Sequence, residues 1–222
     1  MQSGVPLKLG EALRLQTRQL HIRVERTALM QALLRGQLDL PAYCTLLRNL
    51  HAIYCALENA LELHAAHPGL APVRLAGLAR SRPLAGDLDE LHGADWESAY
   101  PLMPATAAYV CRLNACASHA PALLLAHAYV RYLGDLSGGQ MLQRVVARSF
   151  ALQGSSGTRF YAFDDSGGAT ALARLFRAGL DAVDTDTGGM GALVAEAQWG
   201  FGQHERLFTE LQPAGFEPQL DA

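Results

Sequence analysis

The sequence predicts an all-α fold, a single-domain helical bundle, and three observations carry that expectation. Apolar residues recur at helical, not alternating, spacing along most of the chain. The breaks between these stretches are short and rich in proline, or in glycine and serine. No stretch has the strand–helix–strand rhythm of a βαβ unit. At 222 residues, half of them hydrophobic, the chain is long enough to bury one substantial core.

The elements follow in order. An apolar-periodic run begins near Leu9 and continues through "EALRLQTRQLHIRVERTALMQALL" as one helical stretch. A second begins at "DLP", where proline suits a first helical turn, and Tyr43, Leu46, Leu47, Leu50, Ile53, Tyr54, Leu57 and Leu61 form one continuous stripe. The segment "HPGLAPVRLAGLARSRP" and the "YPLMP" that follows it later read as punctuated connections. A third helix is expected over Ala105–Ala117, and a long one from Pro121 to about Leu152. After the glycine- and serine-rich "GSSGTRFYAFDDSGG", two more fit Thr170–Val183 and Ala192–Leu211, separated by "DTDTGGMG". Six to eight helices are expected within one domain over residues 1–212, with 213–222 as a frayed tail.

Composition excludes several classes of function. The net charge is only −3, so neither a polyanion nor an acidic partner is indicated, and no nucleic-acid partner is expected. The longest apolar run, around "PALLLAHAYV", is too short to cross a bilayer, and no leading segment has signal-peptide form, so no membrane association and a cytoplasmic protein are expected. The four cysteines, Cys44, Cys55, Cys111 and Cys116, lack CxxC spacing and read as small buried hydrophobes.

The stretch "YLGDLSGGQ" contains LSGGQ, which resembles the signature loop of ATP-binding-cassette ATPases. That reading needs a GxxxxGK[ST] phosphate loop, and the single lysine, Lys8, has no glycine-rich loop before it. Another account is required. Gly134 and Gly138 lie one helical turn apart and Gly139 follows, each costing about 1 kcal/mol relative to alanine in a helix interior. A GG pair also signals a turn, but the apolar spacing continues into "MLQRVVARSFAL", so a bent helix fits better. Bare backbone on one helix face admits something flat and large, and Asp135 between the glycines calls for partners or ordered water.

The first helix carries Arg14, Arg18, His21 and Glu25 at spacings of four, three and four, on one face. The chain has eight histidines, so a histidine by itself carries no signal; its neighbours set His21 apart. Glu25 is placed to accept the Nδ1 proton of His21 and leave Nε2 free for a metal, and the arginines suit carboxylates. A planar macrocycle with a central metal and carboxylates on its edge satisfies both helices at once, which describes haem b. Phe201, His204 and Phe208 share one face of the last helix and offer ring contacts.

With these residues in place, "LGEALRLQTRQLH", "LHAIYCALENAL", "AHAYVRYLGDLSGGQ" and "RLFTEL" resemble haem oxygenase in order and spacing over most of the chain. The resemblance implies haem held between a proximal N-terminal helix and a kinked, glycine-containing distal helix. It implies His21 as the iron ligand with Glu25 as its hydrogen-bond partner, and Gly134, Gly138 and Gly139 as the distal glycines. Asp135 then organises a distal water chain that includes Tyr54, Tyr109 and Arg131. Arg14, Arg18, Tyr129 and Arg177 surround the propionates, and Phe201 and Phe208 line the pocket. Two positions depart from the family pattern: Ala173 stands where a basic residue is often found, and His204 where asparagine is familiar.

The implied reaction uses haem as both cofactor and substrate. It takes O2 and electrons from an external donor, a ferredoxin or flavin reductase, and gives biliverdin opened at the α-meso carbon, CO and ferrous iron. A haem carrier or sensor that does not turn over is the rival reading, with His204 as a candidate second ligand. A helical interaction module whose glycines serve packing is a third.

Overall fold

The computed structural model describes residues 7–163 and 167–212, so the tail expected over 213–222 lies outside the described residues. Among the described residues the regular structure is entirely helical: α1 (Leu9–Glu25), α2 (Ala28–Leu34), α3 (Leu40–Leu63), α4 (Ser81–Leu91), α5 (Trp96–Ala99), α6 (Pro104–His119), α7 (Leu124–Ser149), α8 (Gly168–Ala182) and α9 (Thr187–Glu210), with three single-turn 3₁₀ segments between them. Nine α-helices exceed the six to eight expected: α5 is a single added turn, and the other two additions have physical reasons.

The first is a break that periodicity hides. The run from Leu9 is two helices, because Thr27 adopts an extended conformation and its hydroxyl bonds the Val24 carbonyl at 2.8 Å. Side-chain competition of this kind ends a helix without proline or glycine. The break turns α2 so that Leu29, Ala32 and Leu33 are buried, packed between α7 and α9. The second is α4, which starts at the end of the connection "HPGLAPVRLAGLARSRP" and runs beyond it, where no helix is expected. Its N-terminus is capped from another helix: Glu58 of α3 accepts from the backbone N–H of Arg80 at 2.5 Å and of Ser81 at 3.2 Å. No local signal announces such a cap.

The remaining boundaries follow local chemistry. Asp39 caps α3 by accepting from Ala42 N at 2.8 Å, with Pro41 in the first turn, and Asp186 caps α9 by accepting from Gly189 N at 2.6 Å. The α3 stripe is the core: Tyr43, Leu46, Leu47, Leu50, Ile53, Tyr54, Leu57 and Leu61 are all buried. Helix α7 runs unbroken through its glycines, which excludes the turn reading, and stops at Ser149 with Ala151 in the left-handed region at φ 52°. Around α7 are packed α9, α8, α3, α6 and α2, while α1 lies on α9 and α8. Cys44 and Cys116 are buried and Cys55 is partly so; Cys111 corrects the expectation for all four, because its position on α6 faces solvent.

Behind α7 lies the short turn Arg159–Tyr161, clamped from α4. The buried Asp87 accepts from Arg159 N and Phe160 N at 2.8 Å each, and the Arg80 guanidinium lies 4.0 Å from the centre of the Phe163 ring. Asp87→Ala leaves two N–H groups without their acceptor, so a loss of about 2–4 kcal/mol is expected. Urea unfolding checks this: the midpoint falls at unchanged slope, and an unaltered midpoint would show that the clamp contributes nothing.

Candidate functional site

A cavity of about 840 Å³ opens between α1 and α7 and is closed at the sides by α2, α8 and α9. Helix α1 presents Arg14, His21 and Glu25 to it, because the four-residue and seven-residue offsets return to one helix face. His21 Nδ1 lies 3.5 Å from Glu25 Oε2, within ion-pair range but longer than an ordinary hydrogen bond. The His21 ring meets Phe201 edge-on at 5.9 Å between centroids. Arg23 pins α1 to α9 with two bonds to Glu205, at 3.0 and 2.6 Å, so this wall is held from outside the cavity.

The opposite wall is α7. A Cβ built on Gly134 or Gly138 would meet nothing within 4 Å, whereas one on Gly139 would lie 3.7 Å from the Tyr161 backbone. Glycines that serve helix packing face a neighbouring element; Gly134 and Gly138 face open space, so packing does not account for them. Their missing side chains widen the cavity.

Asp135 connects this wall to the core. Its side chain is only 12% exposed, accepts from the Tyr54 hydroxyl, and lies 3.4 Å from Arg131 Nη2. Burial pushes the Asp135 carboxyl well above the ordinary carboxylate range. Burial also lowers the Arg131 guanidinium to about 10, which still leaves it a cation at neutral pH. Arg131 stacks over the Tyr54 ring at 4.9 Å and reaches His204 Nε2 at 3.0 Å.

That last contact settles the state of His204. A guanidinium only donates, so Nε2 is the acceptor and the proton of the neutral ring is on Nδ1. Burial and the Arg131 charge both hold the imidazole well below its usual pKa, in agreement. With Nε2 engaged and Nδ1 protonated, His204 has no free lone pair for a metal. Its ring also packs on Tyr109 at 5.2 Å and on Phe208 at 5.9 Å.

The family model described as "Heme oxygenase" matches residues 7–210 of this chain. "Heme oxygenase 1" of Nostoc sp. is 34% identical over 92% of this chain and 86% of its own length. The heme oxygenase of Takifugu rubripes is 37% identical over 92% of this chain and 74% of its own. Among solved structures, heme oxygenase-1 from the cyanobacterium Synechocystis sp. in complex with heme superposes with a TM-score of 0.87 at 32% identity, covering 93% of each chain. Heme oxygenase from Leptospira interrogans gives 0.88 at 30% identity, covering 92% of this chain and all of its own.

The chain belongs to the haem oxygenase family.

The cavity fits the substrate of such an enzyme on its own terms. It has one histidine on the α1 wall, bare backbone on the α7 wall, and cations at one edge. Lys8, Arg14, Arg177 and Tyr129 line that edge, and the Tyr129 hydroxyl is 3.2 Å from Thr17 Oγ1. Arg18 shares the α1 face by spacing but is exposed and does not line the cavity. Tyr54 and Tyr109 are fully buried behind the lining, reaching it through Asp135 and His204. Ala173 is buried in the core. Sequence reasoning missed Lys8, which pairs with Asp181 at 3.5 Å at the rim, and also Phe160 and Tyr161, which line the back. Being the only lysine was the one available signal for Lys8; Tyr161 reaches the site by a tertiary clamp and carried none.

The Asp135 shift sets a pH dependence. A carboxyl whose folded pKa is raised stabilises the fold fully below its ordinary value of 3.8, and that contribution is lost as pH rises through the folded value. Asp135→Asn removes the titration. Melting temperatures of the haem-free proteins, taken from about pH 4 to 9, are therefore expected to diverge, with the wild type losing ground to the variant as pH rises. Parallel curves would contradict the raised carboxyl.

Proposed function

We propose that this haem oxygenase opens haem b at the α-meso carbon, releasing biliverdin, CO and ferrous iron, with O2 and with electrons from a ferredoxin or flavin reductase. The single observation that supports the reading best is the pairing of His21 with a glycine face that fills no packing role, Asp135 standing between the glycines. When bound, haem supplies the iron at which O2 is reduced and the ring that is cleaved.

In this reading His21 is the iron ligand through Nε2, and Glu25 orients the ring from the Nδ1 side. Gly134 and Gly138 let the α7 backbone approach the macrocycle, and Gly139 seats that backbone against Tyr161. Asp135, its carboxyl raised above the ordinary range by burial, is the group that exchanges protons with ordered water on the distal side. Tyr54 and Arg131 fix the carboxyl in place, and Tyr109 and His204 complete the buried wall behind it. Phe201 and Phe208 exclude bulk water from the α9 side. Arg14, Tyr129 and Arg177 hold the propionates, which fixes the ring edge presented to the distal wall and so the α-meso choice; Arg18, outside the cavity, has no part in this.

A haem carrier or sensor would protect the iron with a second ligand, and the locked tautomer of His204 argues against that role. Among the described residues no helix is long and apolar enough to cross a membrane, and we place the enzyme in the cytoplasm.

Addition of haem followed by a reductant in air tests the reading: the Soret band is expected to form and then decay into bilin absorption, and a stable band would instead support a carrier. His21→Ala is expected to fold, bind haem at least tenfold more weakly and lose ring opening, with exogenous imidazole restoring part of it; wild-type spectra and bilin yield in that variant would remove His21 as ligand. Chromatography of the product is expected to give the α isomer from the wild type and a mixture from Arg177→Ala. A mainly β or δ product from the wild type would mean that these cations do not set the seating.

A further inference from the structure

Behind the distal wall a second buried polar chain crosses three helices: Arg112 of α6, Glu196 of α9, His127 of α7 and Tyr109 of α6. Arg112 donates from Nε at 2.8 Å and Nη2 at 2.5 Å to the two oxygens of Glu196. His127 Nε2 lies 2.9 Å from Glu196 Oε1, and His127 Nδ1 lies 3.1 Å from the Tyr109 hydroxyl. Exposure falls from 42% at the Arg112 side chain to 4% at Glu196 and zero at His127. Gly200 faces the same junction: a Cβ there would come within 3.3 Å of the Tyr109 oxygen and 3.7 Å of His127 Nδ1. Glycine at that position leaves the pair room to meet.

We propose that Glu196 and His127 are positioning residues for the distal side, fixing the Tyr109 hydroxyl so that its hydrogen points away from the haem cavity and only its oxygen lone pairs are left to the distal network. The direction of every hydrogen bond follows from the charged end. Burial opposes ionisation of Glu196, but the two hydrogen bonds from the Arg112 guanidinium outweigh it and keep the carboxyl ionised, so Glu196 only accepts. His127 Nε2 must then carry a hydrogen. Arg112 already balances the Glu196 charge, and a second cation at the fully buried His127 ring would stand uncompensated. The ring is therefore neutral, Nδ1 is an acceptor, and Tyr109, whose phenol burial keeps protonated, donates to it. Cys116 Sγ, 3.9 Å from His127 Nε2 and 3.7 Å from Glu196 Oε1, is held up at about 11 by burial and the Glu196 charge. Its thiol supplies no competing negative charge. Tyr109 in turn packs on His204, which receives Arg131, which holds Asp135. An acceptor-only Tyr109 cannot deliver a proton toward the cavity, so proton supply falls to Asp135.

The functional half of this proposal rests on haem occupying the cavity as described above; the hydrogen-bond direction does not, so the two are tested separately. In the haem-free protein, ¹⁵N NMR of the histidine rings is expected to show His127 neutral with its proton on Nε2. A proton on Nδ1, or a doubly protonated ring, overturns the proposal whatever the haem chemistry does. In the ferric haem complex, the acid–alkaline midpoint of the visible spectrum is expected to move by about one pH unit in His127→Leu, the size of one hydrogen bond. It should not move when the same change is made in a Tyr109→Phe background. Equal shifts in both backgrounds, or none in either, overturn the positioning role. Should His127→Leu fail to fold, the ring tautomer of the wild type still decides.

Discussion

Asp135 is a carboxylic acid largely buried in the middle of a helix, one residue from a glycine that faces open space. Burying such a group costs several kcal/mol unless it is protonated or well partnered, and helix-interior glycines add about 1 kcal/mol each. The rest of the structure is arranged around holding that unfavourable combination. Tyr54 comes from α3 and Arg131 from one turn earlier on α7, while His204 comes from α9 to engage the other side of Arg131. Three helices meet at one carboxyl.

The geometry that brings them there is ordinary packing. The apolar stripe of α3 buries Ile53 and Leu57, and Tyr54 is carried inward with them, so that the hydroxyl at the end of a core ring reaches α7. On the far side of the cavity, Arg23 and Glu205 fix α1 against α9, which sets the gap between His21 and the glycine backbone. A rigid gap with one donor wall and one bare wall suits a flat ligand bound edge-in. Helix packing supplies the frame, and a few groups inside it supply the chemistry.

Much of this was legible in the sequence, and the failures have physical causes. The α3 stripe, the His21 face of α1 and the continuity of α7 through "GDLSGG" each rest on periodicity, which one helix determines by itself. The break at Thr27 and the existence of α4 do not: one depends on a hydroxyl choosing a nearby carbonyl, the other on Glu58 arriving from a different helix. The same division runs through the site. Arg14 and Arg177 line the cavity as their helix positions suggest, but Arg18 does not, and Lys8, Phe160 and Tyr161 enter from loops and turns. His204 was visible on the Phe201–Phe208 face and as a departure from asparagine; its tautomer needed the position of Arg131. Cys111 was read by composition alone and is exposed.

The central claim is that Gly134 and Gly138 are kept bare for a bound substrate and not for the fold. Alanine at each position, measured twice in the same variant, tests it most directly: once for the unfolding free energy of the haem-free protein, and once for haem affinity and bilin formation. Because a Cβ at either position meets nothing within 4 Å, each alanine is expected to stabilise the haem-free protein by about 0.5–1 kcal/mol. The same variants are expected to bind haem more weakly and to form less bilin. Alanine variants that lose stability, or that gain it with haem affinity and bilin formation intact, would contradict the account.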